Sequence, residues 1–139
     1  MVRTMLNRTD LEQHYRLEPP ASPEALARAE AGLGRPLHPD YAAFLRLSDG
    51  LYTGGNLVLL DADSIAERNR DYEVAEYLPG YLMIGDDSGG MALLLRDQEP
   101  AVFEVDMGVM MASELRVSAD SLEQLLIRFQ GRTLSERQD

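Results

Sequence analysis

Gly85-Asp86-Asp87-Ser88-Gly89-Gly90 sets two adjacent carboxylates and a hydroxyl on a glycine-rich reversal between two apolar runs. Three roles use such residues. Paired acids on a hairpin can hold magnesium against a triphosphate, as in viral polymerases. A serine within Asp-Ser-Gly-Gly can be a nucleophile when a histidine base and an orienting aspartate stand beside it. Short acids on a turn can also simply accept backbone N–H bonds. The chain offers only His14 and His38 as bases, and Asp86 stands where the protease motif has glycine. A formal charge of −11 repels the template that a polymerase must hold. The expectation is a solvated turn whose carboxylates accept backbone N–H groups. Asp61-Ala62-Asp63 starts like a calcium loop, but the later acid, the central glycine and the closing glutamate do not follow, which leaves helix capping. His38, beside Pro39, reads as a helix-entry residue rather than a general base. Met107, Met110 and Met111 crowd flexible thioethers onto one stretch and fit either a contact surface or irregular core filling. Cysteine is absent, which excludes a disulfide framework, a thiolate nucleophile and a cysteine-ligated metal; no cofactor is expected.

Composition narrows the classes further. All thirteen basic residues are arginine, against twenty-four acids. That balance disfavours nucleic acid and would steer a basic protein partner inward. No apolar run approaches the roughly 20 residues of a spanning helix, and Met1 to Arg8 lack the apolar core of a signal peptide. A soluble, cytoplasmic protein without membrane or nucleic-acid partners is expected. The sequence selects no oligomeric state. With 139 residues, no repeats and no low-complexity linker, it reads as one domain over 1–139, its core at about 22–131 and its ends, 1–8 and 132–139, loose.

The elements that would position these residues follow in order. Thr9 and Glu12 have capping-box spacing for a short helix over Asp10 to Leu17. Ser22-Pro23-Glu24 opens a second helix with Leu26, Ala29, Glu30 and Leu33 on one face and Gly34 as its stop. Leu37-His38-Pro39-Asp40-Tyr41 opens a third with Tyr41, Phe44, Leu45 and Leu47 as its stripe; Ser48-Asp49-Gly50 ends it, and the two should pair antiparallel. Leu57 to Leu60 is a short strand, and Asp63-Ser64 can cap a middle helix reaching about Tyr77. Tyr81 to Ile84 and Met91 to Leu95 read as buried strands of a central hairpin, and Ala101 to Val105 as a third main strand. Val109 to Val117 is open between strand and irregular chain. Asp120-Ser121-Leu122-Glu123 starts a last helix with Leu122, Leu125, Leu126 and Phe129 as its core face. Helices, then mostly adjacent strands, then a closing helix predict an α+β fold: an antiparallel sheet packed with an N-terminal helix pair, a middle helix and a C-terminal helix.

Leu37-His38-Pro39-Asp40-Tyr41-Ala42-Ala43-Phe44-Leu45 followed by Ser48-Asp49-Gly50 resembles the signature of the SUKH superfamily, to which the fungal Smi/Knr cell-wall regulators belong. The likeness continues through Leu59, Ile65, Leu78-Pro79, Ile84-Gly85-Asp86-Asp87, Gly89-Gly90, Val102 to Asp106 and Ser121 to Phe129. His38 between leucine and proline, and Asp49 in place of asparagine, depart from it. Bacterial proteins similar to this are typically immunity proteins, so the resemblance implies a non-enzymatic module that binds a cognate, basic toxin and occludes it. A regulatory or scaffolding domain of the Smi/Knr type is the alternative. On that implied role, Asp86 and Asp87 with Glu104 and Asp106, beside Met107, would form the acidic docking face. A small hydrolase using Asp86 and Asp87 is a third reading, which needs a metal or a raised carboxyl pKa.

Overall fold

In the computed structural model, which describes residues 6–137, the chain runs α1 (Arg8–Glu12), α2 (Pro23–Leu33), α3 (Pro39–Leu45), β1 (Leu51–Tyr52), β2 (Val58–Leu59), α4 (Ala62–Asp71) and α5 (Val74–Tyr77). It continues through β3 (Tyr81–Asp86), β4 (Met91–Arg96), β5 (Val102–Asp106), a 3-10 turn (Ala112–Glu114) and β6 (Arg116–Ala119). A π-helical turn (Gln124–Arg128) and a 3-10 turn (Leu134–Arg137) close it. The strands form one six-stranded antiparallel sheet in chain order, β1-β2-β3-β4-β5-β6. The fold is α+β, as the order of elements predicts. β3 and β4 carry no polar face because they lie in the middle of that sheet, and Leu82 to Ile84 and Ala92 to Leu95 are buried throughout.

Local chemistry sets several helix ends. The Ser22 hydroxyl accepts from the Ala25 N–H, proline takes the first turn of α2, and Gly34 stops it in the left-handed region at φ 72°. At α3, His38 is the N-cap; its Nδ1 accepts the Asp40 N–H, and its Nε2 donates to the carbonyls of Arg96, at 3.1 Å, and Glu99, at 2.8 Å. This buried histidine therefore pins the start of α3 to the β4–β5 turn.

Other elements depart from the sequence reading. The first helix is capped by Asn7 and ends at Glu12, short of Leu17. Asp61, not Asp63-Ser64, caps α4 through its bond to the Ser64 N–H. The middle helix breaks at Glu73, whose φ of 53° is left-handed, and resumes as α5. The helix lying along α2 is α4 rather than α3: a Cβ added to Gly32 would come within 2.8 Å of the Ala66 Cβ, so glycine permits that close approach. The Val109 to Val117 stretch resolves into a 3-10 turn and the start of β6. The last helix keeps its Ser121 cap, which accepts the Gln124 N–H at 3.0 Å, but winds as a π turn. Residues 134–137 are fastened rather than loose; the ends of the two expected loose termini, 1–5 and 138–139, lie outside the described residues.

β3 has edges that β2 only partly covers, since β2 pairs with Gly85 and Asp86 alone. The Asn69 side chain supplies the rest. Its amide oxygen accepts the Met83 N–H at 2.9 Å and its nitrogen donates to the Met83 carbonyl at 3.0 Å, so one side chain imitates a strand neighbour. Between these two patches the Tyr41 hydroxyl, fully buried, reaches the Leu60 and Ile84 carbonyls. Burial, then the nearby Asp61 and Asp49 carboxylates, pushes its pKa well above 10.0.

Tyr15 is likewise raised by burial, from 10.0 to about 12. Between those two values the unfolded chain gives up phenolic protons that the folded chain keeps, so the stabilisation is complete below pH 10 and fades as pH climbs through about 12. Denaturant unfolding measured across that range should show the midpoint falling above pH 10, and Tyr41→Phe should flatten part of the fall. At neutral pH the same substitution should cost about 1 kcal/mol. Asn69→Leu, which leaves both Met83 groups buried and unpaired, should cost about 2 to 4 kcal/mol in the same measurement.

Candidate functional site

The candidate site is the end of the sheet where the β3–β4 hairpin and the end of β5 come together. Met91 pairs with Asp106, the Met107 N–H donates to the Gly90 carbonyl at 2.8 Å, and the Ser88 hydroxyl donates to the Asn56 carbonyl in the β1–β2 loop at 2.8 Å. Three connections are thereby bound to one another. Gly85 is required at their base, because a Cβ there would lie 2.2 Å from the Val58 carbonyl oxygen.

The acids of this end divide into two kinds. Asp86 and Asp87 do accept backbone N–H groups, as the turn chemistry predicts, but the turn does not leave them solvated: they are 7% and 6% exposed. Asp86 takes the Ser88 N–H at 2.8 Å and stands 3.4 Å from the Arg68 guanidinium. Asp87 takes the N–H groups of Gly89, at 2.8 Å, and Met91, at 2.9 Å. Each carboxylate thus gives one oxygen to shaping the reversal, and little of either is left at the surface. Glu104 is further from any docking role, being 1% exposed. It accepts from the Ser118 hydroxyl at 2.6 Å and the Leu134 N–H at 2.9 Å, while Arg137 donates to the Ser118 carbonyl and hydroxyl and stacks on Phe129 with its carbon 4.0 Å from the ring centre. Burial lowers the Arg137 pKa and the Glu104 charge opposes that shift. The expected four-acid face therefore reduces at the surface to Asp106, exposed and bonded to the Gly108 N–H, with Met107 half-buried beside it. Met110 belongs to the core and Met111 to the surface.

Among the clefts formed by the described residues, two lie beside the sheet. One, of about 200 Å³, lies beside β1 and is lined by Glu18, Asp49, Asp61, Ser64 and Arg68 with Tyr52 at its rim. Asp49 and Asp61 are committed there to helix capping, through the N–H groups of Ala62 and Ser64. The other, of about 250 Å³, is more apolar and lies between α2, α4 and β3, with Leu33, Ala66 and Leu82 in its wall. Neither was marked by a motif, since each is assembled from segments far apart in the chain. Among the described residues no group of three or more His, Asp or Glu side chains is placed to hold a metal ion, and no helix is long and apolar enough to cross a membrane.

The family model described as SMI1 / KNR4 family (SUKH-1) matches residues 20–128. Comparison with curated proteins gives no match. The matched range contains the α3 entry, the central hairpin and the π turn, and so covers every element that shapes the sheet end.

Removing the Glu104 carboxylate tests the structural role. Glu104→Ala should cost about 1 to 3 kcal/mol, since it takes the acceptor from the buried Ser118 hydroxyl and the partly buried Leu134 N–H, and limited proteolysis should then cut after Gly131. Glu104→Gln, which keeps an acceptor, should lose less than half as much by thermal unfolding.

Proposed function

Because the chain belongs to the SMI1 / KNR4 family (SUKH-1), we propose that it is a non-enzymatic protein-binding module, an immunity protein that neutralises a cognate secreted toxin by covering its active cleft. The family match over residues 20–128 carries this reading. The charge of −11 adds the partner's character: an acidic surface attracts a basic one and speeds encounter. Occlusion asks no chemistry of the inhibitor, only a rigid surface of ordinary size, roughly 1,600 Å² in total. Rigidity is what the buried acids provide. Asp86 and Asp87 set the shape of the hairpin, Glu104 fastens the last turn, and Asp106 with half-buried Met107 is what remains of the expected acidic face at the surface.

Co-expression with the toxin encoded by the neighbouring gene should rescue growth, and the purified pair should associate directly. Raising sodium chloride from low salt to about 0.5 M should slow association at least about tenfold while changing dissociation little. A rate indifferent to salt would remove steering by charge, and a toxin left fully active in the presence of excess chain would remove the immunity role.

A further inference from the structure

We propose that the β6 edge of the sheet is where this chain meets its partner, with Val109, Met111 and Val117 as apolar anchors for a protein surface whose own apolar contact is ringed by arginine or lysine. The inference rests on the binding role proposed above and adds the place of contact.

Five large hydrophobic side chains stand exposed among the described residues, and three of them fall between 109 and 117: Val109 at 41%, Met111 at 55% and Val117 at 57%. The other two, Tyr52 and Tyr77, are isolated elsewhere. The stretch is not loose. The Val109 N–H donates to the Asp106 carbonyl at 3.0 Å, the Met111 N–H to Val109 at 2.9 Å and the Glu114 N–H to Met111 at 2.9 Å. Met110 is buried between its two exposed neighbours, and Met107 and Leu115 pack on the core at either end. A segment ordered before binding gives up little entropy when a partner arrives. On the sheet itself, Val117 stands opposite the half-buried Phe103, whose ring meets Tyr81 edge-on at 5.7 Å. β6 ends the sheet, and its first two residues, Arg116 and Val117, are exposed.

Charge selects the occupant. Asp106, Glu114 and Asp120 are exposed around these anchors, and none of the three forms an ion pair among the described residues. Arg116 is the only cation in the sequence between 106 and 120, and the Arg137 guanidinium also lies on β6, at the Ser118 carbonyl and hydroxyl. In a two-fold pair of this chain the patch would face itself, so these acids would oppose their own copies across two molecules of charge −11 each. A basic partner reverses the sign of every one of those contacts. Apolar anchors inside a charged rim also match the arrangement by which a few central side chains supply most of an interface's affinity.

The test measures affinity of the purified full chain for the toxin domain encoded by the neighbouring gene. Met111→Ala and Val117→Ala should each weaken binding at least about tenfold and together about a hundredfold. Tyr52→Ala, on the opposite edge strand, should bind like the wild type. Both anchors are exposed, so the thermal midpoint should not move; if an alanine lowers it, Met111→Gln and Val117→Thr, which keep the bulk, take its place. Anchor variants that bind like the wild type overturn the placement and leave the immunity role standing. A wild-type dimer in sedimentation that Val117→Ala dissolves also overturns it, because the patch then covers a second copy. A wild-type chain that neither binds nor neutralises the toxin overturns both.

Discussion

A strand buried on every side must have each of its backbone groups answered by another part of the chain, and β3 is that strand here. On one edge β4 pairs along its length, with a bulge between Met83 and Gly85. On the other, three different devices share the work: β2 at Gly85 and Asp86, the Leu60 N–H with the Tyr41 hydroxyl at the Ile84 carbonyl, and the Asn69 amide at Met83. α3, α4 and the β2 hairpin each deliver one of these groups, so their positions are fixed by β3 more than by one another. Orphaning one such group costs about 1 to 3 kcal/mol, a large fraction of a net stability of about 5 to 15 kcal/mol.

The same demand explains why the segment that looks most chemical is architectural. Gly85 admits the Val58 carbonyl, and Asp86 and Asp87 bond the N–H groups of the reversal that no strand neighbour answers. A carboxylate is a stronger acceptor for backbone N–H groups than a neutral side chain, and two of them can order a turn containing Ser88 at φ 62° and Gly90 at φ 103°. Glu104 repeats the device at the other end of the chain, holding the last turn down onto β5 and β6. Acidic residues in this protein thus serve two separate ends, interior fastening and surface charge.

Local signals were the legible part of the sequence. Ser22-Pro23-Glu24 with Gly34 bounds α2 to the residue, and unbroken Leu93-Leu94-Leu95 announces a central strand, because both follow from neighbours in the chain. What stayed hidden depends on distant partners. β1 is two residues long and exists only through its pairing with β2; Asn69 acts as a strand only because β2 stops short. The Asp86 and Asp87 turn contacts are local and were readable, whereas the Arg68 contact of Asp86 and the bond from Ser88 to the Asn56 loop join distant segments and were not. Glu104 shows the limit most clearly: nothing in Val-Phe-Glu-Val distinguishes a surface acid from one that receives an N–H thirty residues later.

The surface acids remain to be accounted for, and the fold uses them little: among the described residues Asp106 holds only the Gly108 N–H and Asp120 only the Gln124 amide. The described ion pairs Arg8–Glu12, Arg28–Asp63 and Arg96–Glu99 lie at the surface, where such contacts contribute about 0 to 1 kcal/mol each. A charge of −11 meanwhile sets like charges against one another in the compact state and destabilises it. Exposed valine and methionine beside those acids contribute no burial to the free fold and stay available to a partner. A basic surface with an apolar centre, laid over Asp106 to Asp120, would neutralise the charge and cover the side chains in one contact, so the two features become complementary in a complex.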